Sequence, residues 1–252
     1  MTLPAMSMKT PHPAWPDAQP EPPACPPCHL IVMAKAPVAG QVKTRLIAAL
    51  GAERAATLAE RLLHWAVAQA EAAGVGPVEL CAAPDASHPA FAGLLQRHPG
   101  LLLSVQSEGD IGKRMACALR RRLVDDEVTG VVGDVVGDVA VDAAGAQPTT
   151  AAVMLMGTDL PGLDARVLRR AAAALATHAA VLVPALDGGY GLIGLQRFDA
   201  SLFTGLAWSG PLVLQQTRDR LASAGLRWAE LPALPDIDEP ADLHHLPAGW
   251  LP

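Results

Sequence analysis

A chain of 252 residues can form one large domain or two small ones. Its 51% hydrophobic and 17% charged residues supply a sizeable core, and no apolar run approaches the ~20 residues that a membrane-spanning helix needs. The net charge of −6 argues against a nucleic-acid binder, whose affinity rests on clustered cations, so the basic groups present must act locally.

Residues 1–28 hold nine prolines and little to bury, which predicts a disordered leader. The leader has no apolar secretory segment, so the chain is expected to be cytoplasmic. Of the four cysteines (Cys25, Cys28, Cys81 and Cys117), the first two form a C-x-x-C inside this Pro-rich stretch. No second pair completes a zinc site, and a bystander role is expected. From His29 to the end, strand and helix patterns alternate, as in a layered α/β domain.

His29–Lys35 is a short apolar run suited to a buried parallel strand. Leu58, Leu62, Trp65 and Ala66 recur at helical spacing between Ala52 and Ala73, and Gly74 supplies a stop. Residues 77–84 and 100–106 read as two further strands. Ile111, Met115 and Leu119 then stack on another helix. Residues 124–150 are Gly, Asp and Val in near-repeat, a loose hairpin or an insertion. Residues 151–157 read as a strand, Asp164 as a helix N-cap, and 179–185 as the next strand. Ser209 is expected to cap a helix with Pro211 in its first turn and Gly225 beyond its end. The fold class expected is α/β: a three-layer, mostly parallel mixed sheet with helices on both faces, over one domain from 29 to 252.

Four polar clusters follow strands, where open α/β sheets place their ligands. In the first, Lys35, Lys43 and Arg45 offer cationic donors, and Gly40 lets the backbone approach a ligand. A helix starting near Gln41 would add free N–H groups to an anion site. A solvated basic loop is the alternative. In the second, Asp159 follows a strand directly and could hold a divalent cation against a diphosphate, although Asp, Pro and Gly also make ordinary turns. The third, Asp236, Asp238 and Glu239, could complete that site, since Mg²⁺ needs only one or two carboxylates beside phosphates. Glu239-Pro240 equally suits a helix start. The fourth joins Gln106, Gly109 and Asp110 with the Asp187-Gly188-Gly189-Tyr190 turn. Gln106 and glycine backbone could read a nucleobase edge, and the turn leaves room for a sugar ring. A hairpin explains that turn almost as well.

The motifs AKAPVAGQVKTRL, GDIGKRM, GTDLPGL, DGGYGLIGL, WSG…VLQQT and DIDEPADL occur in one order from about His29 to Leu246. In this the chain resembles the bacterial glycosyltransferase-like family associated with arsenosugar biosynthesis. That family is related to the guanylyltransferases acting on 2-phospho-lactate and on molybdenum cofactor. The resemblance implies a GT-A-type, nucleotide-diphospho-sugar transferase fold and metal-assisted chemistry at a nucleotide diphosphate or triphosphate. It makes Lys35, Lys43 and Arg45 phosphate contacts, places Gln106, Gly109 and Asp110 near the nucleotide, makes Asp159 a ligand of Mg²⁺ or Mn²⁺, and makes Asp238 a second metal ligand or a phosphate-side acid. Gly191 and Gly210 depart from its pattern on the acceptor side.

The activity expected is metal-dependent sugar transfer from a nucleotide-sugar to a small-molecule acceptor. Lys43 and Arg45 would offset charge on the leaving group, and Asp187 would be the general base. Gly188 and Gly189 would border the donor. Two alternatives stand beside it: a nucleotidyltransferase moving a nucleoside monophosphate from an NTP to a phosphorylated acceptor, and a non-catalytic nucleotide-binding regulator.

Overall fold

In the computed structural model, residues 27–124, 152–208 and 210–251 are described. The expected insertion, all but its first residue, and the expected cap at Ser209 lie outside these residues, as do Cys25 and most of the expected leader. Seven strands form one sheet: β1 (Cys28–Lys35), β2 (Val78–Ala83), β3 (Leu102–Val105), β4 (Ala152–Met156), β5 (Ala180–Pro184), β6 (Tyr190–Leu195) and β7 (Trp228–Glu230). Their spatial order is β3-β2-β1-β4-β6-β5-β7. β6 pairs antiparallel with both neighbours, and every other pairing is parallel. Cys28 opens β1 and is buried, so the strand begins inside the stretch expected to be leader.

β1 is central because every residue from Cys28 to Ala34 is apolar or internally paired and buried. Its alternation feeds two cores. Leu30, Val32 and Ala34 face α2 (Ala52–Ala73), α3 (Pro89–Arg97) and α5 (Ala165–Ala174). Ile31 and Met33 face α4 (Ile111–Leu123) and α6 (Val213–Ser223). Helices thus cover both faces, which gives the three-layer arrangement.

The helix boundaries follow local chemistry. Gly74 ends α2 in the left-handed region at φ 63°, which a glycine adopts without a Cβ penalty. Asp110 and Asp164 cap α4 and α5 by accepting from the backbone N–H of Lys113 and Val167 at 2.8 and 2.9 Å. Two expectations change. No helix starts near Gln41: the chain turns there and enters a 3₁₀ turn at Thr44–Leu46, followed by the four-residue α1 (Ile47–Leu50). α6 starts at Val213, so Pro211 lies before its first turn.

A buried ion cluster fastens the end of α4 to the sheet. Glu79 on β2 is fully buried and accepts from Ser104 Oγ, Arg121 Nη2 and Arg122 Nε, the last at 2.7 Å, with His29 Nε2 at 2.9 Å. Burial alone would push the Glu79 carboxyl up, but His29, Arg121, Ser104 and Arg122 together bring it down to about 2. Among the described residues no helix is long and apolar enough to cross a membrane.

Candidate active site

The strand order reverses between β1 and β4: β2 and β3 follow β1 on one side, and the later strands lie on the other. Open α/β sheets place ligands at the carboxyl ends of strands at such a point. A cavity of about 520 Å³ lies there. Its floor is the ends of β1 and β4 and its walls are the Gln41–Arg45 turn and the start of α4.

Lys43 organises this cavity. It sits in the left-handed region at φ 46° and ψ 41°, a conformation that costs a non-glycine residue on the order of 1 kcal/mol. Buried Val42 and Leu46 anchor the chain on either side of it. The result points the ammonium inward, with its side chain only 6% exposed. Nζ donates to Asp159 Oδ1, to the Ile237 carbonyl at 2.6 Å and to Asp238 Oδ1 at 2.9 Å. Burial by itself lowers the ammonium's affinity for its proton, but the carboxylates of Asp159 and Asp238 outweigh it and hold the pKa above the usual lysine value.

Asp238 reaches this position because Ile237 is a buried plug. Ile237 packs with Leu46, Ala55, Leu58 and Leu62, and its backbone N–H donates to the Asp159 carbonyl at 3.0 Å. Glu239 and Asp242 then close a capping box on the 3₁₀ turn Pro240–His245. Both readings of the acidic cluster therefore hold in different residues: Glu239 and Asp242 cap a helical turn, and Asp238 faces the cavity.

Asp159 and Asp238 converge on one point, each with one oxygen on Lys43 and the other without a partner among the described residues, and their side chains are 45% and 40% exposed. Two partly exposed carboxylates with spare oxygens fit a Mg²⁺- or Mn²⁺-type ion that draws its remaining ligands from phosphates and water. Among the described residues no cluster of three or more His, Cys, Asp or Glu forms a self-sufficient metal cage.

The cavity gathers Lys35, Lys43, Arg45, Gln106, Asp159 and Asp238 from the residues that the sequence singled out. Their roles shift in two places. All three donors of Lys43 are satisfied by protein, so the ammonium positions the acids and has none left for a phosphate. Gln106 spends its amide N–H groups on the carbonyls of Ala34 and Cys81 at 3.2 and 2.9 Å, leaving its Oε1 as an acceptor. Lys35 donates to the Gln41 carbonyl at 2.9 Å, and exposed Arg45 stands 3.7 Å from Glu239.

Gly40, Gly109, Asp110, Asp187, Gly188 and Gly189 do not line the cavity. The Asp110 side chain is spent on the α4 cap. Asp187 is exposed and accepts from the Gly189 N–H at 2.8 Å, the local bond of a turn between β5 and β6. The hairpin alternative therefore accounts for the geometry of that segment. Position 188 requires glycine on two counts: its φ is 91°, and a Cβ there would lie 2.2 Å from the Pro211 carbonyl oxygen. Asp187 faces Asp236, whose carboxyl is pushed up to about 6 by burial, by Asp187 and by Asp238 and Asp242.

Arg114, Tyr190 and Thr158 line the cavity without having been assigned a role from the sequence. Arg114 borders the Ile111–Met115–Leu119 stripe, and Ile111 at the head of that stripe is exposed at the cavity instead of buried in the core. That stripe was the available signal.

The fold is that of nucleotide-diphospho-sugar transferases. The chain is similar to a candidate nucleotide-diphospho-sugar transferase from Desulfovibrio desulfuricans G20, with 28% identity, 86% of this chain and 85% of that one covered, and a TM-score of 0.71. The likeness to the 4-diphosphocytidyl-2C-methyl-D-erythritol synthase of Anaerococcus prevotii DSM 20548 is one of fold: 8% identity, 87% and 96% covered, TM-score 0.53. None of the curated proteins matches the chain. A family pattern matches residues 66–210, which include Gln106, Arg114, Asp159 and Tyr190 but neither Lys43 nor Asp238. By that match, over more than half of its length, the chain belongs to the family described as "uncharacterized protein conserved in bacteria" (DUF2064).

Proposed function

We propose that the chain is a nucleotide-utilising transferase that moves a sugar from a nucleotide-sugar to a small-molecule acceptor. One observation carries the reading: Asp159 and Asp238, 79 residues apart in the chain, converge on the Lys43 ammonium at the carboxyl ends of β1 and β4. The likeness to the Desulfovibrio protein supports it, and the motifs shared with arsenosugar-type glycosyltransferases favour a sugar donor over a triphosphate.

Asp159 and Asp238 would hold Mg²⁺ or Mn²⁺ through their free oxygens, and the bound ion supplies Lewis-acid stabilisation of the leaving diphosphate. Lys43 keeps the two carboxylates at one point, so that little reorganisation is needed when a charged ligand arrives. Arg45 and Lys35, both at the mouth, meet phosphate oxygens. Gln106 Oε1 accepts from a nucleobase donor edge. Asp187 does not line this cavity, and one of its oxygens is spent on the turn between β5 and β6.

The experiment is a thermal-shift screen of nucleotides and nucleotide-sugars with and without Mn²⁺, followed by turnover of whichever donor binds. A ligand at about 100 times its dissociation constant adds about 2.7 kcal/mol of stability. The reading expects a metal-dependent shift, release of a nucleoside diphosphate, and loss of both in Asp159→Asn. Pyrophosphate release from an NTP with a phosphorylated acceptor would replace it with nucleotidyl transfer. Metal-dependent binding without turnover of any donor would leave a nucleotide-binding regulator, and no shift with any nucleotide would remove the reading altogether.

A further inference from the structure

We infer that Arg114 binds the phosphate chain of the nucleotide ligand from the α4 wall, facing the cations at the Gln41–Arg45 mouth. The inference rests on the nucleotide reading above and adds a residue to it. Arg114 lies in the first turn of α4, half-buried, with its side chain on the cavity. Its Nε donates to the Gly109 carbonyl at 2.8 Å. That carbonyl is fixed in turn: Gly109 stands at φ 117°, a Cβ there would lie 2.6 Å from the Lys113 side chain, and the Lys113 N–H is tied to the Asp110 cap. The guanidinium is therefore held by one edge and presents its other edge, the Nη1/Nη2 pair, as a fork.

Nothing among the described residues uses that fork. Among the described residues no carboxylate lies within ion-pair distance of Arg114, although the chain carries a net charge of −6. A cation in the first turn also opposes the helix dipole, which favours anions there. A half-buried, unpaired cation set against the dipole is a local cost, and an anionic ligand reverses it. The planar fork matches two oxygens of a phosphate. A second cationic wall is also needed, because Lys43 has spent all its donors on Asp159, Ile237 and Asp238. With Arg45 and Lys35 on one side and Arg114 on the other, a diphosphate in the cavity is gripped from both walls.

The test is titration calorimetry on the full chain in Mn²⁺ buffer with GDP, UDP, CDP and ADP, and with inorganic pyrophosphate. Arg114→Gln is expected to weaken pyrophosphate and the preferred diphosphate by about 10- to 100-fold, with the affinity for the parent nucleoside unchanged. Arg114→Lys keeps the charge without the fork and should recover only part of the loss. Unchanged diphosphate and pyrophosphate affinity in a folded Arg114→Gln, including the case in which only an acceptor's affinity changes, overturns the inference and leaves the nucleotide reading intact. An equal loss for nucleoside and diphosphate overturns it as well, because a misfolded wall affects both. If the unsubstituted chain binds no diphosphate, the nucleotide reading fails first and this inference falls with it.

Discussion

The backbone N–H of Ile237 donates to the carbonyl of Asp159 across 3.0 Å, joining the end of the chain to the turn that leaves β4. Through this bond and the Ile237 side chain, Asp238 is held beside Asp159. Ile237→Ala should therefore act on both stability and ligand binding. Removing a fully buried Ile from the cluster with Leu46, Leu58 and Leu62 is expected to cost about 2–4 kcal/mol in denaturant unfolding. The metal-dependent shift with a nucleotide should shrink in the same variant. A loss of stability with full ligand response would show that Asp238 does not depend on this plug.

Lys43 neutralises two carboxylates that converge on its ammonium, so Lys43→Met leaves them facing each other. Like charges close together destabilise the fold, and a divalent cation can relieve them. Without nucleotide, Mn²⁺ is expected to raise the melting temperature of Lys43→Met more than that of the parent. At a cation concentration about five times the dissociation constant, the gain is about 1 kcal/mol. Equal responses of the two proteins to Mn²⁺ would mean that the acids do not form a cation site when freed.

The buried Glu79 contributes to the acid limb of the stability curve. Its carboxyl is held at about 2 in the folded chain against an ordinary value of 4.5, so the unfolded chain binds the proton first as pH falls. The contribution is complete above pH 4.5 and disappears as pH falls through 2. Its size is about 3 kcal/mol. Glu79→Gln should lower neutral-pH stability by about this amount, since Arg121 and Arg122 lose their counter-charge. It should also flatten the decline between pH 4.5 and 2. Chemical denaturation at several pH values measures both effects.

Most of the sheet was legible because buried parallel strands read as short apolar runs, and helix ends carry their own chemistry. Asp110, Asp164 and Gly74 each satisfy or terminate a helix through bonds within a few residues, and such short-range physics is visible in a single stretch of chain. The basic turn after β1 was legible as composition and wrong in shape. Gln41 suggested a helix start, whereas buried Val42 and Leu46 impose a left-handed Lys43.

By itself, then, the sequence determined the layered α/β class and the residue types that would meet at strand ends: cations after β1 and acids after β4 and β7. Only the tertiary structure decided what those residues do to each other. Whether a lysine faces a ligand or two aspartates depends on contacts made 116 and 195 residues away, and local propensity carries no information at that range. The same holds for Arg114, whose lack of a counter-charge among the described residues emerges only once the elements around it are packed.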